Sequence, residues 1–225
     1  MDKYFMLMGD IKDSRKYDQK ILSETLNRIL IETEENFRDK IITKLEIKVG
    51  DDFQVVVKDI KILLSILLYL DIAFMLENIE CRFALGYGNI YGNINKTTHS
   101  EIMGMGLTNT NEILNKKNKK YSFYIQNDID KTILLNTIGM LMEEVFSSFT
   151  DKQKIFLKFK VIKNKDLKEI KSLMKTSERS IYYFAERSKY FFIMNVFEQI
   201  ILSFETNSNK LDQNYFKDIK FDEEL

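Results

Sequence analysis

The chain has 225 residues, 44% of them hydrophobic and 30% charged, which suits one large globular domain or two modest ones. Its 34 basic and 34 acidic residues balance, so total charge alone indicates neither a nucleic acid nor a membrane surface as partner. Because Cys81 is the single cysteine and the start has no signal-peptide pattern, we expect a cytoplasmic protein without internal disulfides or membrane spans.

The first 130 residues alternate between strand and helix patterns. The predicted elements are a strand at 4–9, a helix at 17–40, a hairpin of strands at 44–49 and 53–57, a helix at 59–77, a strand at 81–90, a weak helix at 104–116 and a strand at 121–125. The first six give the order βαββαβ. This order predicts an α+β fold of the ferredoxin-like or palm type, with an antiparallel sheet and helices on one side.

The rest of the chain is predicted to be helical. A connecting helix at 132–149 is followed by a helix, a short helix at 165–175, a tight connection and a longer helix, which is the order of a helix-turn-helix. Residues 149–200 carry 12 basic and 6 acidic side chains, whereas the chain from residue 205 onward carries 6 acids and 3 lysines. We therefore predict three parts: a sheet domain at 1–130, a helical domain at 131–204 and an acidic tail at 205–225.

Two adjacent acids occupy the predicted hairpin turn, in the stretch "KVGDDFQVVV". A two-residue turn favours glycine in second place, but here Gly50 comes before Asp51 and Asp52, whose mutual repulsion gains nothing for folding. In a ferredoxin-like sheet the first strand, which ends at Asp10, lies beside this hairpin. A divalent cation, Mg²⁺ or Mn²⁺, held by Asp10, Asp51 and Asp52 would relieve the repulsion. The alternative is that Asp10 caps the first helix and "GDD" is only a polar turn.

Three stretches carry a family resemblance: "YFMLMGDIKDSR", "KVGDDFQVVV" and "RFALGYGNI". Together they resemble the SatD family, whose members have a GDI-x-x-SR start, a GDEFQ hairpin and an RxGxGxI strand. The similarity covers roughly residues 4–115. SatD-like proteins are in turn similar to nucleotidyl cyclase and GGDEF palm domains, so the resemblance implies a palm domain that binds metal and a nucleotide.

The resemblance also implies roles for individual residues. Asp10 and Asp51 would hold the metal ions, the backbone carbonyl of Ile11 would assist, and Asp52 stands where GGDEF domains have glutamate. In class III cyclases two metal ions activate the attacking hydroxyl and stabilise the leaving pyrophosphate. Those cyclases complete their sites across a dimer, so a homodimer is implied as well.

Four polar residues are predicted to contact a nucleoside triphosphate. Ser14 and Arg15 follow Asp10 and could hold phosphates through charge-assisted hydrogen bonds, although Arg15 could equally be a surface charge. Asn109 and Asn111 lie in "GMGLTNTNEIL", where cyclases place an asparagine and an arginine. This chain has no arginine there, so the charge stabilisation that an arginine provides is missing or comes from elsewhere.

The stretch from "FTDKQK" to "TSERSIYYF" is similar to the helix-turn-helix of sigma-factor region 4. The resemblance implies contacts with double-stranded DNA by Lys175, Thr176, Ser177, Arg179, Ser180, Tyr183 and Arg187. The alternative is a helical bundle for self-association. Two functions therefore stay open: a metal-dependent nucleotidyl cyclase or nucleotidyltransferase, or a DNA-binding regulator whose palm domain senses a nucleotide without turning it over.

Overall fold

The computed structural model describes residues 2–92 and 102–205, apart from the side chain of Val49. The predicted acidic tail lies, from residue 206 onward, outside the described residues. Within the described ranges, no helix combines the length and the apolar character that crossing a bilayer requires.

The first six elements occur in the predicted order. They are β1 (Lys3–Ile11), α1 (Gln19–Phe37), β2 (Glu46–Val49), β3 (Asp52–Val57), α2 (Ile60–Leu76) and β4 (Cys81–Asn89). The four strands pair in the order β2-β3-β1-β4, and every pair among them is antiparallel. This is the ferredoxin-like arrangement, and it confirms the predicted α+β fold class.

The next elements add one more strand to the sheet. The two-residue strands β5 (Tyr91–Gly92) and β6 (Ile102–Met103) pair with each other in a separate sheet, and α3 (Met105–Asn115) then leads to β7 (Tyr121–Ile125), which joins the main sheet. Strand β7 pairs with β4 in parallel, because α3 runs back along β4 and returns the chain to the edge where β4 begins. The helix packs so closely on β4 that a Cβ added to Gly86 would overlap the hydroxyl oxygen of Thr110.

The sheet has an apolar core on each face, as the alternation of side chains along β1 shows. Phe5, Leu7 and Ile11 belong to a large core with α1 and α2, whereas Met6 and Met8 belong to a smaller core under α3. Helices therefore cover both faces. The even-numbered residues at the end of β1, including position 10, lie on the α3 side.

The remaining helices pack on the side of α1 and α2. They are α4 (Ile129–Ser147), α5 (Asp151–Leu157), which continues as a π-helical turn (Lys158–Ile162), α6 (Leu167–Leu173), α7 (Glu178–Arg187) and α8 (Tyr190–Glu205). Helix α4 lies along β7, while α5 and α8 contact α2, and their buried side chains belong to the same large core. The predicted boundary between residues 130 and 131 stays a prediction.

Candidate metal centre

Three carboxylates meet at one end of the sheet, and we call them the acid cluster: Asp10, Asp51 and Asp52. Each offers one oxygen, and these oxygens lie within 4.8 Å of one another. The register of β1 and β3 pairs Gly9 with Phe53, so one further step along both strands sets Asp10 opposite Asp52. Like charges in such cross-strand positions repel each other, so the cluster costs folding free energy unless something neutralises it.

The hairpin turn brings the third acid into the cluster. Gly50 has a φ of +64°, and Asp51 is not among the residues with positive φ. A positive φ at the first position of a two-residue loop is typical of a type II′ turn, which explains why glycine comes first. The Oδ2 atom of Asp51 is inaccessible to solvent and has no hydrogen-bond partner in the described part of the chain. A buried carboxylate oxygen without a partner is costly, and a cation would satisfy it.

The pKa of Asp52 also shows the effect of placing these carboxylates close together. Burial, followed by the charge of Asp10, raises the pKa of Asp52 from its ordinary value of 3.8 to about 6. The charge of Asp51 raises this pKa further, while Lys117 lowers it. Near neutral pH the third negative charge therefore forms against the repulsion of the other two, which is the situation that favours a divalent cation.

Two basic side chains contact Asp10. The Nη1 atom of Arg82 lies 3.1 Å from Oδ2 of Asp10, and Nζ of Lys117 lies 3.4 Å from the same oxygen. Arg82 is the register partner of Asp10 on β4, and Lys117 follows the end of α3 with a φ of +52°. Neither residue was predicted from the sequence. The β1–β4 register would have revealed Arg82, but nothing in the local sequence identifies Lys117.

The alternative role of Asp10 as a helix cap is excluded. Helix α1 begins at Gln19, and its N-cap is Asp18, whose Oδ1 accepts hydrogen bonds of 3.0 Å from the backbone N–H groups of Lys20 and Ile21. Asp10 lies inside β1 with a side chain that is only 4% exposed. Asp10 therefore takes no part in capping α1.

Among the described residues, the four residues predicted to bind the nucleotide form no hydrogen bond or ion pair with the acid cluster. Ser14 and the exposed Arg15 form a short 3₁₀ turn before α1. Asn109 donates a 2.7 Å hydrogen bond to the hydroxyl of Tyr124, and the half-buried Asn111 lies two positions further along α3. At 1.5 Å per residue, Asn109 is roughly 12 Å along the helix from Lys117. The nucleotide roles of these four residues, like the carbonyl role of Ile11, stay predictions.

The residues predicted to contact DNA lie on α7 and on the turn before it. Lys175, with a φ of +47°, reverses the chain between α6 and α7, and the hydroxyl of Ser177 caps α7 by accepting from the N–H of Ser180 at 3.1 Å. Exposed side chains are those of Lys175, Ser177, Arg179, Tyr183 and Arg187, while Thr176 and Ser180 are half-buried. The guanidinium of Arg187 lies 5.4 Å from the ring centre of Tyr183. Their contact with DNA stays a prediction.

Comparison with known proteins identifies the part of the chain that holds the acid cluster. Residues 4–105 match the model of the SatD family. These residues are similar to the SatD family, and we call them the SatD domain. The match confirms the resemblance of the three sequence stretches, and it places all three acids and Arg82 inside the SatD domain. Lys117 and all helices from α4 onward lie beyond the matched residues.

Solved structures similar to this chain include two adenylyl cyclases. The adenylyl cyclase CyaB from P. aeruginosa is 15% identical, with a TM-score of 0.37 over 51% of this chain and 71% of that chain. A bacterial light-regulated adenylyl cyclase is 10% identical, with a TM-score of 0.39 over 54% of this chain and 74% of that chain. The search of curated proteins found no match.

Proposed function

We propose that the SatD domain binds Mg²⁺ or Mn²⁺ at Asp10, Asp51 and Asp52 and uses the ion to hold the phosphates of a nucleoside triphosphate. The observation that carries the proposal is the acid cluster itself, in which three carboxylate oxygens lie within 4.8 Å and the Oδ2 of Asp51 has no partner among the described residues. Mg²⁺ is usually bound by one or two carboxylates together with substrate phosphates and water. The donor set therefore fits the ion.

The chemistry we propose is phosphoryl transfer of the nucleotidyl cyclase or nucleotidyltransferase type. A bound divalent ion would neutralise phosphate charge and make an attacking hydroxyl more acidic. Asp10, Asp51 and Asp52 would orient the nucleotide through that ion. Arg82, which lies 3.1 Å from Asp10, supports the proposal because it offers a fixed positive charge for the phosphates that the region around Asn111 lacks.

Product analysis tests the catalytic part of the proposal. Purified protein is incubated with Mn²⁺ and each nucleoside triphosphate in turn, and the products are separated by chromatography. We expect a cyclic or transferred nucleotide that disappears in Asp51→Ala but persists in Asp39→Ala, a matched change at an exposed acid outside the acid cluster. Absence of product, combined with a nucleotide-dependent rise in melting temperature, would leave a nucleotide sensor and exclude the enzyme.

A second function, DNA binding, is supported by the exposed side chains of Arg179, Tyr183 and Arg187 on α7. Helix α7 follows α6 after a tight turn, which is the order of a helix-turn-helix. Gel-shift assays with genomic fragments at two salt concentrations test this, because phosphate contacts make binding weaken as salt rises. We expect Arg179→Gln to reduce the shift.

Light scattering of the same sample measures whether the protein is the homodimer implied by its resemblance to class III cyclases.

A further inference from the structure

A cleft of about 550 Å³ opens at the same end of the sheet as the acid cluster. It lies between the start of β4, the loop from α3 to β7, and helices α2, α4 and α5. The SatD domain supplies one wall, and the helices beyond it supply the other, through residues such as Phe149 and Lys154. Its volume is in the range of pockets that bind small molecules.

Positive charge dominates the side chains that line the cleft. Among the described residues, six of these side chains are basic and three are acidic, a surplus of three. The basic residues are Lys12, Arg82, Lys117, Lys119, Lys120 and Lys154. In a chain whose total charge is zero, such a concentration raises the local potential for anions.

Internal ion pairs account for only part of this charge. Lys12 pairs with Glu80 at 2.6 Å, and Lys120 pairs with the buried Asp71 at 2.8 Å. Lys119 and Lys154 form no ion pair with any residue that the structure describes. Both are half-buried and line the cleft. These two lysines are the groups that an anionic ligand would pair with first.

The cleft also has an apolar wall. Met75 and Ile79 contribute from the end of α2 and the turn after it. Phe146 contributes from the end of α4, and Phe149 from the connection after it. The two phenylalanine rings pack edge to face with their centres 5.4 Å apart. A small inorganic anion would leave this apolar surface in contact with water, whereas a ligand with a ring system and a charged chain would cover both parts.

We infer that this cleft binds a nucleoside phosphate. Its phosphates lie on Lys119, Lys154 and the pair Arg82 and Lys117, and its base lies against the apolar wall. This inference rests on the proposed function, because the nucleotide in the cleft is the one whose phosphates reach the ion at the acid cluster. The helices beyond the SatD domain then complete the nucleotide site through Lys154.

The shared residues couple the cleft to the acid cluster. Arg82 and Lys117 line the cleft and also contact Asp10, where their positive charge opposes the approach of a divalent ion. A phosphate that accepts hydrogen bonds from these two side chains reduces that opposition. Metal and nucleotide therefore bind with positive coupling, and each raises the affinity for the other by the same factor.

Calorimetric titration of the full chain with ATP and GTP, in EDTA and then in Mn²⁺, tests the inference. We expect at least one of the two nucleotides to bind without metal and to bind more tightly with it. Lys119→Gln and Lys154→Gln should each weaken metal-free binding about fivefold or more, since each removes a charge-assisted hydrogen bond. Lys154→Arg, which keeps the charge, should restore it. Lys152→Gln changes an exposed lysine on the same helix and should have no effect.

Separate measurements distinguish failure of the cleft from failure of the metal site. Mn²⁺ binding without nucleotide reports on the acid cluster alone, and Asp51→Ala should abolish it while leaving metal-free nucleotide binding intact. Unchanged nucleotide affinity in both Lys119→Gln and Lys154→Gln, with normal melting temperatures, would overturn the inference even if Mn²⁺ binds. Tripolyphosphate that binds as tightly as the nucleotide would also overturn it, because the base would then contribute nothing.

Discussion

Two aspartates at the same end of the sheet, the buried Asp71 and the half-buried Asp51, have opposite surroundings. Asp71 on α2 accepts a hydrogen bond from the hydroxyl of Tyr121 and pairs with Lys120 at 2.8 Å, so its carboxylate is fully partnered. In the acid cluster, Asp51 has a buried oxygen with no hydrogen-bond partner among the described residues, and burial together with the charges of Asp10 and Asp51 raises the pKa of Asp52. A buried acid with its own cation and hydrogen bonds needs nothing further. An acid that lacks a cation and hydrogen bonds of its own indicates a binding site for a ligand.

The largest effect expected from this comparison is on Asp71. Asp71→Ala leaves the buried hydroxyl of Tyr121 and the ammonium group of Lys120 without their partner, and breaking a buried pair typically costs roughly 3–5 kcal/mol. We expect chemical denaturation to show a loss of about that size. Because the acid cluster is repulsive without metal, Asp51→Asn should not destabilise the metal-free protein. An equal loss for both variants would remove the distinction between the two aspartates.

The next effect is the dependence of stability on pH. The pKa of Asp52 is about 6 in the folded chain and 3.8 ordinarily, so the folded state holds this proton more tightly than the unfolded state does. The resulting stabilisation is complete below about pH 4 and is lost as the pH rises through about 6. In EDTA, wild type and Asp52→Asn should therefore melt at similar temperatures near pH 4, and wild type should melt lower above pH 6.

The same proton should compete with the metal. Below the pKa of Asp52, a divalent ion must displace one proton, so the affinity for Mn²⁺ should rise about tenfold for each unit of pH. Above that pKa the affinity should level off. Titrations of Mn²⁺ between pH 5 and pH 7.5 measure this dependence. An affinity that does not change over this range would show that Asp52 is not a ligand.

The smallest effect concerns Lys117. Its side chain is 55% exposed, so water screens the lysine end of its 3.4 Å ion pair with the buried Asp10, and we expect a contribution of about 1 kcal/mol. Lys117→Gln should therefore change the free energy of unfolding only slightly. It should strengthen Mn²⁺ binding in the absence of nucleotide, because a positive charge beside Asp10 is removed. Weaker Mn²⁺ binding in this variant would contradict the coupling between cleft and acid cluster.

The acid cluster could be predicted from the sequence because it depends on backbone topology. The order βαββαβ sets β1 beside β3, and the strand end at Asp10 and the turn at Asp51 then fall together. Arg82 and Lys117 could not be found in the same way. Arg82 becomes a neighbour only through the β1–β4 register, and Lys117 only through the left-handed turn that ends α3.

The cleft could not be predicted from the sequence, for a related reason. Its walls come from α2, β4, the loop before β7 and the helices α4 and α5, which meet only when the C-terminal helices pack on the sheet. The periodic patterns predicted these helices as separate elements but gave no information on where they dock. Lys154 and Phe149 therefore looked like ordinary residues of a helical domain.

Direct titration of Mn²⁺ into the metal-free protein tests the central claim, that the acid cluster holds a divalent ion. Wild type should bind the ion and melt at a higher temperature, with a gain of about 2.7 kcal/mol when Mn²⁺ is present at a hundred times its dissociation constant. Asp51→Asn should show neither binding nor this gain, whereas Asp39→Asn should behave as wild type. Equal Mn²⁺ affinity in wild type and Asp51→Asn, or no binding by wild type at pH 7.5, would contradict the claim.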